Sequence, residues 1–463
     1  MLENLIRQLA EKHILILGFG KEGIDTYFAL RKLFPAKILS IADKKTLGEF
    51  DPKTQKIFLK DKNIEPFFGK NYLAKIGDYD LVIKTPGISL KKLGFIESEK
   101  PSFGEMTSQT KIFFDNYPGL IVGVTGTKGK GTTSSLIYEI LKMAGLKVFL
   151  GGNIGKPVLQ YLLKAKPHDI FIYEISSHQL QNLKKSPQIA VFLNLFQDHL
   201  DYCKNFTEYQ TAKANITKYQ TKNDYLIFNS QDGKVKQIAQ KSKAVKIPFS
   251  LAKKRKLFEI ISQKDTILKG DFNLLNIIAA VEAVKIFKID NKIIKQGIKN
   301  FKGLPHRLKF VGKFKGIEFY DNSMATVPQT TILDLQIFNG KPISLIVGGS
   351  DKGSDYKDLV KEISKTSVKN LIVLGQGTGQ KIVRKMSEGR PPKGSGSSFG
   401  RRSALRHFSV SSMKEAVKIC YEKTKKNGVC LLSPASASFN LFKDYQDRGN
   451  QFIKYIKSNA KKT

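Results

Sequence analysis

The chain has 463 residues, 41% of them apolar and 25% charged, with 78 Lys+Arg against 40 Asp+Glu. At roughly 100–200 residues per domain this is material for about three domains with buried cores. No apolar run reaches the roughly 18 residues of a membrane span, which excludes an integral helical membrane protein.

The opening MLENLIRQLAEKH carries acidic residues and no apolar signal-peptide core. Cys203, Cys420 and Cys430 are widely separated and form no metal-type spacing. Free thiols in a reducing cytoplasm are therefore expected. The formal net charge of +38 raises nucleic-acid binding as a function. The lysines are spread along the whole chain and no nucleic-acid module is visible. The charge is read instead as a lysine-rich surface serving anionic small-molecule substrates, with non-specific RNA binding at low salt.

The first apolar run, His13–Gly18, leads into GFGKEG. Gly18, Gly20 and Gly23, with Asp43 about twenty residues on, resemble a dinucleotide fingerprint. Alone they suggest an NAD-dependent dehydrogenase or a plain strand-to-helix turn. A later strand, DLVIK, ends in the turn Thr85, Pro86, Gly87. A domain boundary falls near Tyr117–Pro118.

Leu120–Gly126 is the next strand, and Gly123–Thr133 reads GVTGTKGKGTT ahead of the helical pattern SSLIYEILKMAG. Strand, glycine loop and helix are what a phosphate site requires: backbone N–H groups converge on oxygens at a helix N-terminus. Lys130 supplies positive charge, and Thr132 or Thr133 a hydroxyl near Mg²⁺. Val124 occupies the first glycine position of the usual loop, and Gly131 follows the lysine. Downstream, FIYEISS places Glu174 inside an apolar strand, unfavourable unless paired or metal-bound. The strand Ile189–Leu195 is followed by FQDHLD, with His199 between Asp198 and Asp201. A metal role is read for His199, atypical for Mg²⁺, which prefers oxygen. Lys213, in the helical pattern EYQTAKANITKY, reads from composition as part of a solvated face.

A second boundary falls near Asn300–Gly303. Pro342–Gly349 and Asn370–Gly375 repeat the strand-and-glycine pattern, so parallel sheets are expected in βαβ units. Ser387–Ser403, SEGRPPKGSGSSFGRRS, holds almost nothing that could bury a core and reads as a mobile surface insertion.

Taken together these residues resemble the Mur ligase family. GVTGTKGKGTT, GGNIG, YEISSHQL, NLFQDHLD, AKANI, DFNLLNIIAA, GLPHRL, YDNSMAT, GGSDKGSDY and SPASASFNLFKDYQDRG stand in the family's order over nearly the whole chain. GLPHRL and SPASAS point to its glutamate-adding branch. Met324 stands where that branch commonly has lysine, and Asn322 where the family's acid often sits.

The resemblance implies three α/β domains on mainly parallel sheets: a Rossmann-like domain at 1–117, a P-loop ATPase domain at 118–300 and a Rossmann-like domain at 301–463. It implies ATP and Mg²⁺ as cofactors, and D-glutamate and UDP-N-acetylmuramoyl-L-alanine as substrates, joined by an acyl phosphate in peptidoglycan precursor synthesis by a cytoplasmic monomer. Gly126, Thr127, Lys128, Gly129, Lys130, Gly131, Thr132 and Thr133 would hold phosphates, Asn273 and Asn276 adenine, Asp321 ribose, and Arg307 the γ-phosphate. Thr132, Glu174, His199 and Lys213 would lie at the metal, Lys213 as a carbamate. Asn153 would position the reacting carboxylate. Phe19, Lys21, Asp43, Lys44, Thr85, Pro86 and Gly87 would hold the uridine diphosphate. Thr326, Lys352, Ser438, Phe439 and Tyr445 would surround the amino acid, and closure of the third domain would complete the site. Other readings are a ligase of the same precursor using L-glutamate or another amino acid, a folylpolyglutamate synthase, which GKGTT resembles, and a nucleotide-regulated subunit without ligase activity.

Overall fold

The computed structural model describes residues 2–89, 104–153, 158–197, 202–203, 205–351, 353–388, 405–439 and 441–460. Their strands form three sheets. In the first, β1 (Ile14–Leu17), β2 (Leu39–Asp43), β3 (Ile64–Phe68), β4 (Leu81–Lys84) and β5 (Glu105–Thr107) lie in the order β3-β2-β1-β4-β5. Every pairing is parallel. ILIL in β1 and LVIK in β4 are buried at every position, the burial expected of a sheet with helices on both faces.

The second sheet joins β6 (Leu120–Thr125), β7 (Val148–Gly152), β8 (Ile170–Glu174), β9 (Ile189–Phe192), β10 (Tyr225–Asn229) and β11 (Val245–Phe249) in the order β11-β10-β9-β6-β8-β7. It too is wholly parallel. The strand order reverses at β6, and such a switch point opens a crevice at the carboxyl ends of the strands. The glycine loop follows β6 into that crevice. Its helix, Lys130–Met143, is clamped by the helix Asn291–Asn300: a Cβ on Gly297 would come within 2.8 Å of Ile140 Cα.

The third sheet holds β12 (Lys309–Phe314), β13 (Ile317–Asp321), β14 (Ile343–Val347), β15 (Val368–Leu374), β16 (Arg406–Val410) and β17 (Val429–Leu432) in the order β12-β13-β17-β14-β15-β16. It is mixed, because β12 and β13 form an antiparallel hairpin. Lys315 and Gly316 between them have φ of 50° and 78°, the positive pair that a two-residue type I′ turn requires. β13, β17 and β14 are parallel neighbours, so the loops after them leave the same edge side by side.

The chain divides into two compact units, Met1–Ile267 with Asn273–Phe301, and Leu268–Phe272 with Lys302–Thr463. The first contains the first two sheets, which share one apolar cluster including Ile16, Phe113, Phe171 and Phe192. A buried carboxylate also ties them. Asp25, 4% exposed on the helix Lys21–Leu33, accepts from Leu159 N (2.9 Å), Gln160 Nε2 (2.8 Å) and Gln109 Nε2 (2.9 Å).

Cys203, Cys420 and Cys430 are buried, and none is in a disulfide. Among the described residues no helix is long and apolar enough to cross a membrane. Ser387 and Glu388 finish the helix Thr378–Glu388. The rest of the expected insertion, to Ser403, lies outside the described residues.

Candidate active site

The glycine loop is held from below. Lys128 N donates to Asn194 Oδ1, Asn194 Nδ2 donates to Lys128 O (both 2.9 Å), and Thr127 N donates to Asn194 O at 3.0 Å. Tyr209 OH and Phe196 N both donate to Thr127 Oγ1. Gly129 has φ +90°, and a Cβ there would lie 2.3 Å from Asn276 Oδ1. Only glycine fits both the conformation and the space. Lys130 Nζ folds over the loop and donates to the carbonyls of Gly126 (3.0 Å) and Thr127 (3.1 Å). Gly131, Thr132 and Thr133 begin the helix. Thr133 is fully buried and faces Asn276 Oδ1 at 3.5 Å, while Thr132 is 6% exposed. Asn276 Nδ2 donates to Asn273 Oδ1 at 3.3 Å. Asn276 thus supports the loop directly.

Glu174 ends β8, in register with Val124 on one side and Gly152 on the other. Its Oε1 accepts from Asn153 Nδ2 at 2.6 Å, while its Oε2 is buried without a hydrogen-bond partner. An unmet carboxylate oxygen in this position is costly unless a cation meets it. A hard oxygen donor at the mouth of a phosphate loop fits Mg²⁺, with the Thr132 hydroxyl on the adjoining helix turn. No group of three His, Cys, Asp or Glu side chains converges among the described residues, and His199 lies outside them.

Lys213 corrects the solvated-face expectation. It is 1% exposed, on the inner face of the helix Phe206–Lys218. Its Nζ donates to Gly126 O (2.9 Å) and Thr125 Oγ1 (3.2 Å), 5.0 Å from the Tyr209 ring centroid. Thr125 Oγ1 in turn donates to Ile175 O, beside Glu174. Packing against the end of β6 decides this burial, and composition carries no trace of it.

The first sheet carries a cleft of about 400 Å³ lined by Gly18, Phe19, Lys21, Asp43, Lys44, Thr85, Pro86 and Gly87, among others. All seven residues expected to hold uridine diphosphate line it. Asp43 accepts from Phe19 N (2.6 Å) and Lys45 N (3.0 Å). The Phe19 ring packs against Tyr27, Phe50 and Phe58 in the core, so this residue offers the cleft its backbone.

In the second unit, Thr326 follows β13 and Ser438 follows β17. Ser350, after β14, bridges to Ala437. Lys352 lies outside the described residues. Ser438 is buried and Phe439 exposed. Asp321 is fully buried: His306 Nδ1 lies 2.7 Å from its Oδ2, and Ser323 N donates to its Oδ1 at 2.9 Å. Both of its oxygens are therefore held within the fold. The Tyr445 ring stands 6.2 Å from His306. Arg307 is flanked by two non-glycine residues in left-handed backbone, His306 (φ 60°) and Leu308 (φ 47°). Strain of this kind persists where surrounding contacts hold it, and functional positions are where it gathers.

Three structural supports carry no signal in the sequence: Asn194, Arg448 and Glu22 look there like ordinary polar residues of loops and helices. Arg448 is fully buried and ties three loops: Nε donates to Ser323 Oγ (3.0 Å), Nη2 to Ser323 O (2.7 Å) and Ser436 O (3.1 Å), and Nη1 to Gly348 O (3.4 Å). Burial lowers its guanidinium to about 10, with Asp321 opposing. An arginine in a stretch that also reads as helix surface gives no sign of this.

A phosphate loop at the switch point of a parallel sheet, with a buried acid and a buried lysine at the same strand ends, defines a nucleotide-dependent α/β enzyme. A family model described as the Mur ligase middle domain matches residues 124–284. The UDP-N-acetylmuramoylalanine–D-glutamate ligase of Acetivibrio thermocellus is 33% identical over 99% of this chain and 98% of its own length. The like-named protein of Clostridium botulinum strain 657 is 33% identical over 96% of this chain and 97% of its own. The chain belongs to the Mur ligase family. Among solved structures, MurF ligase from Thermotoga maritima in complex with ADP superposes with a TM-score of 0.58 at 16% identity, covering 97% of this chain and 95% of that one. The UDP-N-acetylmuramate–alanine ligase MurC of the same organism gives 0.57 at 17% identity, covering 97% and 100%. These two bear on the fold, which is the three-sheet α/β plan expected from the sequence.

Proposed function

We propose that the protein is an ATP-dependent ligase that joins D-glutamate to UDP-N-acetylmuramoyl-L-alanine through an acyl phosphate, in peptidoglycan precursor synthesis in the cytoplasm. The observation that carries the reading is the convergence of Lys130, Glu174 and Lys213 on the carboxyl ends of β6 and β8. Full-length likeness to proteins named as D-glutamate ligases supports the choice of substrates.

A carboxylate does not acylate an amine directly, because oxide is a poor leaving group; phosphorylation supplies a better one. The loop N–H groups and Lys130 hold phosphate oxygens and offset the charge that spreads over the transferring phosphoryl group. Arg307 would add a further cation, as the family resemblance implies. Glu174 Oε2 and the Thr132 hydroxyl would hold Mg²⁺, which when bound supplies positive charge against the phosphate oxygens. Asn153 fixes the Glu174 carboxylate and orients the acyl carboxylate beside it. Lys213, if carbamylated, would offer oxygens to that metal and keep an N–H for Gly126 O, to which its Nζ donates. Thr326, Ser438 and Tyr445 receive the amino acid, whose amine attacks the acyl phosphate and releases phosphate. Residues 1–117 bind the uridine diphosphate, 118–300 the ATP and 301–463 the amino acid.

The test is phosphate release from ATP with UDP-N-acetylmuramoyl-L-alanine and matched D-glutamate, L-glutamate, D-aspartate or D-glutamine. The highest kcat/KM is expected with D-glutamate. Preference for one of the others overturns the amino-acid assignment, and no release with any overturns the ligase reading.

A further inference from the structure

The nucleotide cleft has a neighbour. A second cavity, sharing Glu22 and Pro86 with the cleft, is walled by Lys84, Thr107 and Lys111 on the first sheet's side and by His178, Gln179 and Asn182 on the second's. The last three belong to the stretch that leaves β8 just after Glu174. The two cavities therefore adjoin at Glu22 and Pro86, and the second is bordered by the segment that follows the strand carrying Glu174.

Glu22 stands at the seam. Its Oε1 accepts from Gln179 Nε2 at 2.7 Å, while its Oε2 is buried and has no hydrogen-bond partner. Lys84, the nearby cation acting on it, turns its ammonium to the carbonyls of Ile88 (2.7 Å) and Thr85 (3.2 Å). Burial raises the Glu22 carboxyl to about 7, the Gln179 bond and Lys84 oppose the rise, and Asp25 adds to it. A buried acceptor left unmet is costly, and a donor arriving with the substrate would relieve that cost.

The precursor's own chemistry supplies the donor. Between its diphosphate and its reacting carboxylate lies an N-acetylated amino sugar, which carries hydroxyl and amide N–H groups. We propose that Glu22 is a specificity-determining residue whose Oε2 accepts a hydrogen bond from the precursor's sugar, from a hydroxyl or the acetamido N–H. This rests on the cleft holding uridine diphosphate. Glu22 recognises the part of the substrate that distinguishes the precursor from a bare nucleotide, as a site built around a hydrogen bond rejects ligands lacking the partner.

The experiment measures binding of UDP and of UDP-N-acetylmuramoyl-L-alanine to the full chain, to Glu22→Gln and to Glu22→Ala, by titration calorimetry. Glu22→Gln keeps an oxygen for Gln179 and loses the second acceptor. Precursor affinity is expected to fall about tenfold or more in both variants, the scale of one lost hydrogen bond to a charged group, with UDP affinity unchanged. Equal weakening of both ligands would show a structural role and overturn the proposal, as would undiminished precursor binding. If UDP and precursor both fail to bind the unaltered chain, the cleft assignment itself falls and the inference with it.

Discussion

Lys130 shows how a single charge is stored before use. With its ammonium on the carbonyls of Gly126 and Thr127, it lies over the loop whose N–H groups would hold phosphate. Lys130→Ala is expected to lower turnover by about 10²–10³-fold, the cost of losing one oriented stabiliser of developing charge; near-normal phosphate release by a folded variant contradicts the role. Lys213→Ala should be nearly inactive, with partial recovery in acetate or formate, which can fill a vacated carboxylate position. Carbon NMR with labelled CO₂ should show the carbamate, and full activity of the alanine variant sinks the proposal. Asp334 makes a separate prediction about pH. It is buried, accepting from Asn322 Nδ2 and Ser433 Oγ (both 2.7 Å), and burial raises its carboxyl from 3.8 to about 7 while both bonds oppose. Between these values the folded state holds a proton that the unfolded chain has released. Stability from this group is therefore full below about pH 4 and falls as pH rises to about 7. Asp334→Asn should flatten that part of the stability profile, and an unchanged slope in urea titrations at pH 5, 6 and 7 counts against it.

At the scale of elements, the phosphate loop is a backbone device. Gly129 takes φ +90° beneath Asn276, so Gly129→Ala adds both conformational strain and a clash. A loss of about 1–3 kcal/mol in stability is expected from the backbone term, with a larger proportional loss of activity because the N–H groups lose their aim. Unchanged melting and kcat would show that the loop relaxes freely. The tie between the first two sheets is also elemental: Asp25 accepts from one backbone N–H and two glutamine side-chain amides, on two separate stretches of chain. The sequence offered only an acid two residues beyond a glycine turn, with no sign of its partners more than 80 positions away.

For the whole molecule, +38 formal charges at pH 7 mean that folding gathers mutually repelling lysines. Salt screens such repulsion between charges more than about 10 Å apart at 0.1 M. Raising the ionic strength from about 10 to about 150 mM should therefore raise Tm, and a lower Tm would show that attractive pairs dominate the charge balance.

Strand runs such as HILILG, LIVGVTG and PISLIVGG were legible because a parallel sheet buries both faces and writes unbroken apolar stretches into the chain. The glycine loop was legible for a related reason: its chemistry lies within eleven consecutive residues. Lys213, Asn194, Arg448 and Glu22 were of another kind. Each looks like an ordinary polar residue of a helix or loop, and each is set by contacts far along the chain: Lys213 against the end of β6, Asn194 under Lys128, Arg448 across three loops, Glu22 against Gln179. Local order and loop chemistry were determined by the sequence itself, since propensity and apolar pattern act between near neighbours. Which polar groups became buried, paired or left with an unmet oxygen was decided only by the tertiary structure, because desolvation depends on what the rest of the chain brings alongside.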